Sequence, residues 1–259
     1  MLPDINQWAH DPTTRDAIPE EHLDPMVTPG SAAVPFAKSE NRIFQMPEET
    51  DTGVLRIFLI RHGQTEWNRT HRFQGRSDVP LNAEGREQVR ATATALRDTP
   101  FTAIYTSPLS RAVETAELIR AHHPTVPLTT EDGFMEMELG EFDGMEAQRW
   151  MTDYRDFMKA WIDNPGGVRM PGPNGECLEE VQARAMEALD NISQAHPPDS
   201  TLLICSHNFV ILSILCKAKG ISLNQFRDLQ QDTAAYSVIL KQGSQYTVEI
   251  LNERSHQAS

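Results

Sequence analysis

From residue 54 onward two apolar patterns alternate along the chain. The first is the short continuous run, such as Val54-Leu55-Arg56-Ile57-Phe58-Leu59-Ile60, with six apolar residues in seven; such runs suit strands covered on both faces. Runs of this kind predict strands over 54–61, 102–106, 201–206, 236–241 and 246–251. The second pattern has apolar residues three and four apart, the spacing of one helical face. Val89, Ala93 and Leu96 mark a helix over 82–97, with Asn82 as its N-cap ahead of Glu84. Leu109, Ala112, Val113, Ala116 and Ile119 repeat the spacing, as do Leu178, Val181, Ala185, Leu189 and Ile192 before Pro197-Pro198 stops the helix. Strands alternating with helices predict βαβ units, hence an α/β fold: a three-layer α/β/α sandwich with a mostly parallel central sheet.

Two stretches break the alternation. Residues 1–50 hold 7 of the 17 prolines and nine acidic against three basic side chains, without sustained periodicity. They read as an acidic, proline-rich extension outside the core, either disordered or draped over the domain through Trp8, Phe36 and Phe44. Residues 51–259 form the domain proper. Within it, residues 133–175 mix aromatics, acids, glycines and prolines, a composition suited to a pocket wall.

Composition narrows the function. With 37 Asp and Glu against 23 Lys and Arg, an extended surface for nucleic acid or anionic membrane is not expected, so any anion must meet a local cationic cluster. Cys177, Cys205 and Cys216 show no paired spacing, which indicates neither a disulfide framework nor a cysteine zinc site. No window approaches the roughly 18 apolar residues of a membrane helix, and the expected location is the cytoplasm.

The chemistry gathers where strands end. Arg61-His62-Gly63 follows the first strand, Ser206-His207-Asn208 follows the run at 201–206, and Ser107-Pro108-Leu109-Ser110-Arg111 follows the run at 102–106, placing Arg111 in the first turn of a helix. In a parallel sheet these ends share one edge, where open α/β sheets bind ligands. Two arginines, two histidines, backbone N–H groups and a helix N-terminus describe a receptor for a compact dianion such as phosphate. The cationic field should keep an imidazole neutral and nucleophilic at physiological pH. A leaving alkoxide needs a proton, and Glu136, in the acidic segment Phe134-Met135-Glu136-Met137-Glu138-Leu139-Gly140, is the candidate donor.

Several separated motifs agree with a known pattern. Arg61-His62-Gly63-Gln64-Thr65-Glu66-Trp67-Asn68 is similar to RHGxTxxN, and Arg72-Phe73-Gln74-Gly75-Arg76-Ser77-Asp78 to the loop that follows it. Glu136 with Gly140 and Gly144 fits E-x-x-x-G-x-x-x-G, Pro173-Asn174-Gly175-Glu176 with Arg184 fits a proline-glycine-glutamate helix start, and Ser206-His207 supplies the second histidine. Over about 54–256 the chain resembles the histidine phosphatase superfamily, the phosphoglycerate mutase-like group, branch 1. The resemblance implies the phosphoglycerate mutase-like fold. It makes His62 the nucleophile that becomes phosphohistidine and Glu136 the proton donor, with Arg61, Asn68, Arg111 and His207, and the Asn208 N–H, as the phosphate pocket.

The resemblance implies a metal-independent phosphomonoester hydrolase, a histidine acid phosphatase-like enzyme, acting on a small phosphorylated metabolite with no cofactor. The alternatives are a phosphoglycerate mutase-type phosphotransferase and a catalytically silent phosphate-binding module. Mutases carry ERHYG where this chain has Glu136-Met137-Glu138-Leu139-Gly140, and Glu138 should repel a second phosphate or carboxylate. The silent module would lack one of the catalytic residues, and none is missing. His71, His122, His123 and His207 have no HxxxH pair or acidic third ligand beside them, so no metal site is expected, and His122-His123 reads as the end of a solvated helix. Asn208-Phe209 after the second histidine departs from the family's usual glycine and bears on pocket width. Phe73, Gln74, Trp150, Arg169 and Met170 are candidates for the substrate wall, and the strand near 246–251 offers an edge through which a homodimer could form.

Overall fold

The computed structural model describes residues 53–257; the extension expected over 1–50 lies outside the described residues. Six strands, β1 (Leu55–Arg61), β2 (Ala103–Thr106), β3 (Leu128–Thr130), β4 (Thr201–Ser206), β5 (Tyr236–Gln242) and β6 (Gln245–Glu253), form one sheet in the order β3-β2-β4-β1-β5-β6. The first four positions in that order are parallel, while β5 and β6 run antiparallel to their neighbours. In register, Arg61 lies beside Ser206 and Thr106 beside Cys205. His62, His207 and Ser107 are therefore the first residues beyond three adjacent parallel strands, at one sheet edge.

Alternation along β1 sends Ile57 and Leu59 to one face and Phe58 and Ile60 to the other. The second face meets Val89, Ala93 and Leu96 from α2 (Ala83–Ala95) and its C-cap, with Ala116 and Ile119 from α3 (Ser110–Arg120). The first meets Leu178, Val181, Ala185, Leu189 and Ile192 of α6 (Leu178–Gln194), and α7 (Asn208–Lys219). Each fully buried Leu or Ile in these layers contributes roughly 1.5–3 kcal/mol of burial free energy. Helices on both faces give the three layers. Asn82 caps α2 as expected, accepting from the Gly85 N–H at 2.8 Å.

Four features differ from the sequence reading, each for a physical reason. The α7 run Asn208-Phe209-Val210-Ile211-Leu212-Ser213-Ile214-Leu215-Cys216 is buried throughout, so it shows no amphipathic period and gives no helix signal. Strand β3 is three residues long with two exposed threonines. The wall segment contains two helices, α4 (Ala147–Asp153) and α5 (Arg155–Asp163). His123 does not end a solvated helix: it is buried, with its ring edge-on to Phe101 at 5.1 Å. A short turn, α1 (Glu66–Arg69), completes the helices.

Gly63 serves close packing. A Cβ there would sit 2.5 Å from the Gly85 carbonyl oxygen, and one on Gly85 would sit 2.1 Å from the Gln64 carbonyl oxygen. The chain leaving β1 thus lies directly on the first turn of α2.

Candidate active site

The two histidines that follow β1 and β4 are buried side by side, ring centroids 5.1 Å apart. His62 Nδ1 lies 2.8 Å from its own neighbour's carbonyl oxygen, Gly63 O. A carbonyl can only accept, so Nδ1 carries the proton and Nε2 keeps its lone pair. Burial, then Arg111, then Arg61 hold His62 well below the usual imidazole range, which favours this neutral form.

His207 Nε2 lies 2.7 Å from Ser107 Oγ. Its Nδ1 is buried and makes no protein hydrogen bond, so it is the ring atom left to meet an oxygen of a bound anion. Burial, then Arg111, lower its affinity for a proton too. Ser107 opens the segment that leads to Arg111 but is not among the site residues expected from the sequence. A signal for it exists, since it is the residue just beyond β2, the position that singles out both histidines.

The arginines are anchored as well as charged. Arg61 donates through Nη1 to the Gln231 carbonyl at 2.8 Å, and the Ala234 N–H donates to the carbonyls of Arg61 and His62 at 3.0 and 3.2 Å. Ala234 holds φ at 56° to do so, a left-handed conformation unfavourable for a residue with a Cβ. Arg111 donates to Gly75 O at 2.7 Å and Ser77 O at 2.9 Å. With the Gln74 amide turned so that both its atoms are satisfied, its oxygen accepts from Arg111 Nε at 2.6 Å and its nitrogen donates to Thr65 Oγ1. Arg111 therefore clasps the loop 74–77 onto α3 while lending its charge to the pocket. Burial pushes its pKa down to about 10, still cationic at neutral pH.

Asn68 closes a reciprocal cap with Thr65: its Oδ1 accepts from the Thr65 N–H at 3.0 Å, and its own N–H donates to Thr65 Oγ1 at 3.2 Å. The side-chain NH2 is then the group left to donate to an anion. Asn208 opens α7, immediately after His207, so its N–H belongs to a helix N-terminus. Phe209 turns away into the core, packing against Trp161 and Phe226. The Phe209 side chain therefore does not plug the cradle.

Glu136 is buried, and Oε1 accepts from the Met137 N–H at 2.9 Å. Burial raises its pKa above the carboxylate norm against the opposing pull of the Met137 N–H, then of Arg111, Arg61 and Arg184. A carboxyl held above its ordinary range keeps its proton to higher pH than a free one, which suits a donor. Glu138 lies 3.8 Å from Arg76, which offsets the repulsion its charge was expected to exert on a second anion.

The wall candidates fall in different places. Phe73 and Trp150 pack edge-on at 5.1 Å, in an aromatic cluster with Phe142, Tyr154 and Phe157. Gln74 reaches the site through Arg111. Arg169 points elsewhere, pairing with Glu180 and the Gly175 carbonyl at the start of α6, and Met170 is buried. Among the described residues no three His, Cys, Asp or Glu side chains converge as a metal site, and no helix is long and apolar enough to cross a membrane.

Comparison with known proteins gives the family. The sequence model of the histidine phosphatase superfamily, branch 1, matches residues 57–254. The chain is 31% identical over 201 residues to a putative phosphoserine phosphatase 2 of Hydrogenobacter thermophilus, covering 78% of this chain and 97% of that one. It is 30% identical over 208 residues to a probable phosphoglycerate mutase of Proteus mirabilis, covering 78% and 95%. The alpha-ribazole phosphatase of Shigella flexneri superposes with a TM-score of 0.67 at 26% identity, covering 77% and 96%. By sequence and by fold, the chain belongs to the histidine phosphatase superfamily, branch 1, and is an enzyme of the phosphatase type.

Proposed function

We propose that this enzyme hydrolyses small phosphomonoesters through a phosphohistidine at His62. The observation that carries the reading is the pairing of a buried, neutral His62, its Nδ1 committed to Gly63 O, with a buried carboxyl whose proton is held above the usual range. In the first step His62 Nε2 attacks phosphorus in line, the P–O ester bond breaks, and Glu136 gives its proton to the departing oxygen. Arg61, Arg111, His207 and the Asn68 amide stabilise the equatorial oxygens, together with the Asn208 N–H. In the second step the Glu136 carboxylate takes a proton from water as its oxygen attacks phosphorus. The P–N bond then breaks and inorganic phosphate leaves.

Hydrolysis is preferred to mutase transfer because Glu136–Gly140 lacks the basic residue and tyrosine of the mutase segment. The weaker part of that preference is charge, since Arg76 offsets Glu138. All three cysteines are free and buried, which suits the reducing cytoplasm we assign. Strand β6 is an outer strand of the sheet, the edge through which we would expect any homodimer to form.

Phosphate release from a panel of phosphomonoesters, 3-phosphoglycerate among them, tests the proposal with EDTA present. Wild type should turn over, and His62→Ala should lose activity by about three orders of magnitude or more. Release abolished by EDTA, or retained in His62→Ala, would refute the mechanism.

A further inference from the structure

Around the Glu136 carbonyl lies a cluster of four charged side chains, Arg76, Glu138, Glu176 and Arg184, outside the proposed reaction. Arg184 of α6 grips Glu176 in a two-pronged pair, Nε to Oε1 at 2.9 Å and Nη2 to Oε2 at 3.0 Å. Arg76 reaches Glu176 Oε1 at 3.2 Å and Glu138 at 3.8 Å. Both arginines also donate to one backbone atom, the carbonyl oxygen of Glu136, at 3.2 Å from Arg184 and 3.3 Å from Arg76.

The grip extends along the segment. Arg184 Nη1 holds the Gly133 carbonyl at 2.8 Å. Glu176 Oε2 accepts from the Glu138 N–H at 2.8 Å, and the Glu176 N–H donates to the Glu138 carbonyl at 3.0 Å. Between these anchors, Ser206 Oγ, one residue before His207, donates to the Phe134 carbonyl at 2.8 Å. Residues 133–138 form no strand and only one turn of 3-10 helix at their start, so these bonds replace the ladder that fixes the histidines.

We infer that Arg76, Glu176 and Arg184 are positioning residues for the general acid: they fix the backbone of Glu136 while Glu176 neutralises the arginine charge behind it. The inference rests on Glu136 being the proton donor. Two cations unbalanced at this distance would draw the proton off the buried carboxyl, and Arg184 already pulls in that direction. Two anions, Glu138 and Glu176, balance them, so the carboxyl is held in place while the pull on its proton is offset. If these paired charges did not set the field at Glu136, neutralising Glu176 would leave the pH at which the acid discharges unchanged.

The test compares kcat/KM for an alkyl phosphate and for p-nitrophenyl phosphate in wild type, Glu176→Gln and Glu136→Gln, across pH. Glu176→Gln should lower the alkyl phosphate value by about 10-fold or more and move its alkaline limb to lower pH, with p-nitrophenyl phosphate within about threefold. Equal losses on both substrates, or an unmoved alkaline limb, would overturn the inference. Glu136→Gln separates the two levels: if its own loss does not depend on the leaving group, the general-acid reading fails and the inference with it. If only Glu176→Gln lacks the dependence, the positioning role alone fails. Should Glu176→Gln not fold, Arg76→Gln, at the half-buried rim of the cluster, takes its place. It removes a cation, so the alkaline limb should move to higher pH, and a limb that stays where it is would overturn the inference.

Discussion

The floor of the pocket and the loop that carries Glu136 are held in place by different means. His62, Ser107 and His207 stand at the ends of β1, β2 and β4, where ladder hydrogen bonds and two apolar layers fix the backbone before any side chain acts. Glu136 sits on a segment without a ladder, pinned by Arg76, Arg184, Glu176 and Ser206. The difference teaches how the fold divides its work. In the mechanism we propose, a phosphate cradle demands fixed geometry and takes it from the sheet, while the acid demands a tuned proton and takes its setting from side chains, whose charge can be balanced locally.

The largest effect that would break this comparison is kinetic. Glu136→Gln should lower kcat/KM for alkyl phosphates by about 100- to 10,000-fold, while an activated aryl phosphate, needing little protonation, changes by only a few-fold. Similar losses on both substrates would make Glu136 a part of the cradle instead of its acid.

Next in size is stability, read from urea unfolding. Leu59→Ala, in the fully buried floor layer, should cost about 2–5 kcal/mol. Ser107→Ala should cost about 1–3 kcal/mol, because His207 Nε2 would lose its partner inside the protein. If Ser107→Ala is silent in both stability and kcat/KM, the Ser107 contact does not orient His207.

The smallest effects are pH slopes, and the two regions should differ in sign. His62 and His207 are held well below 6.5, so under pH 6.5 the unfolded chain binds protons that the folded one refuses, and stability falls as pH drops through that window. Glu136 is raised above 4.5. Above pH 4.5 the unfolded chain has released a proton that the folded one keeps, so this residue's share of stability falls as pH rises. Glu136→Gln should therefore be more stable than wild type at pH 7, and an unchanged or lower unfolding free energy would contradict the burial argument.

These two regions are also unequally legible in the sequence. The apolar runs around Ile57 and Leu203 announce the strands, and a charged residue following such a run announces the site, which is why Arg61, His62, Arg111 and His207 can be read directly. The α7 helix is hidden because Phe209 through Cys216 is buried on every side and carries no period. The helices α4 and α5 are hidden in a segment whose glycines and prolines suggest only loop. Arg169 is a candidate because it is basic and lies in the variable wall. Its pairing with Glu180, eleven positions on, depends on how the chain folds back onto α6. The double use of the Glu136 carbonyl by Arg76 and Arg184 is likewise a product of tertiary folding, since those residues lie 60 and 48 positions away.

The central claim is that phosphorus passes through His62, and the direct test is to trap it. Wild-type enzyme mixed with a phosphomonoester, quenched at alkaline pH within one turnover and examined by peptide mass spectrometry, should carry one phosphoryl group on His62 that acid removes. A phosphoryl group on any other residue, or none in an enzyme that turns over at full rate, would contradict the account.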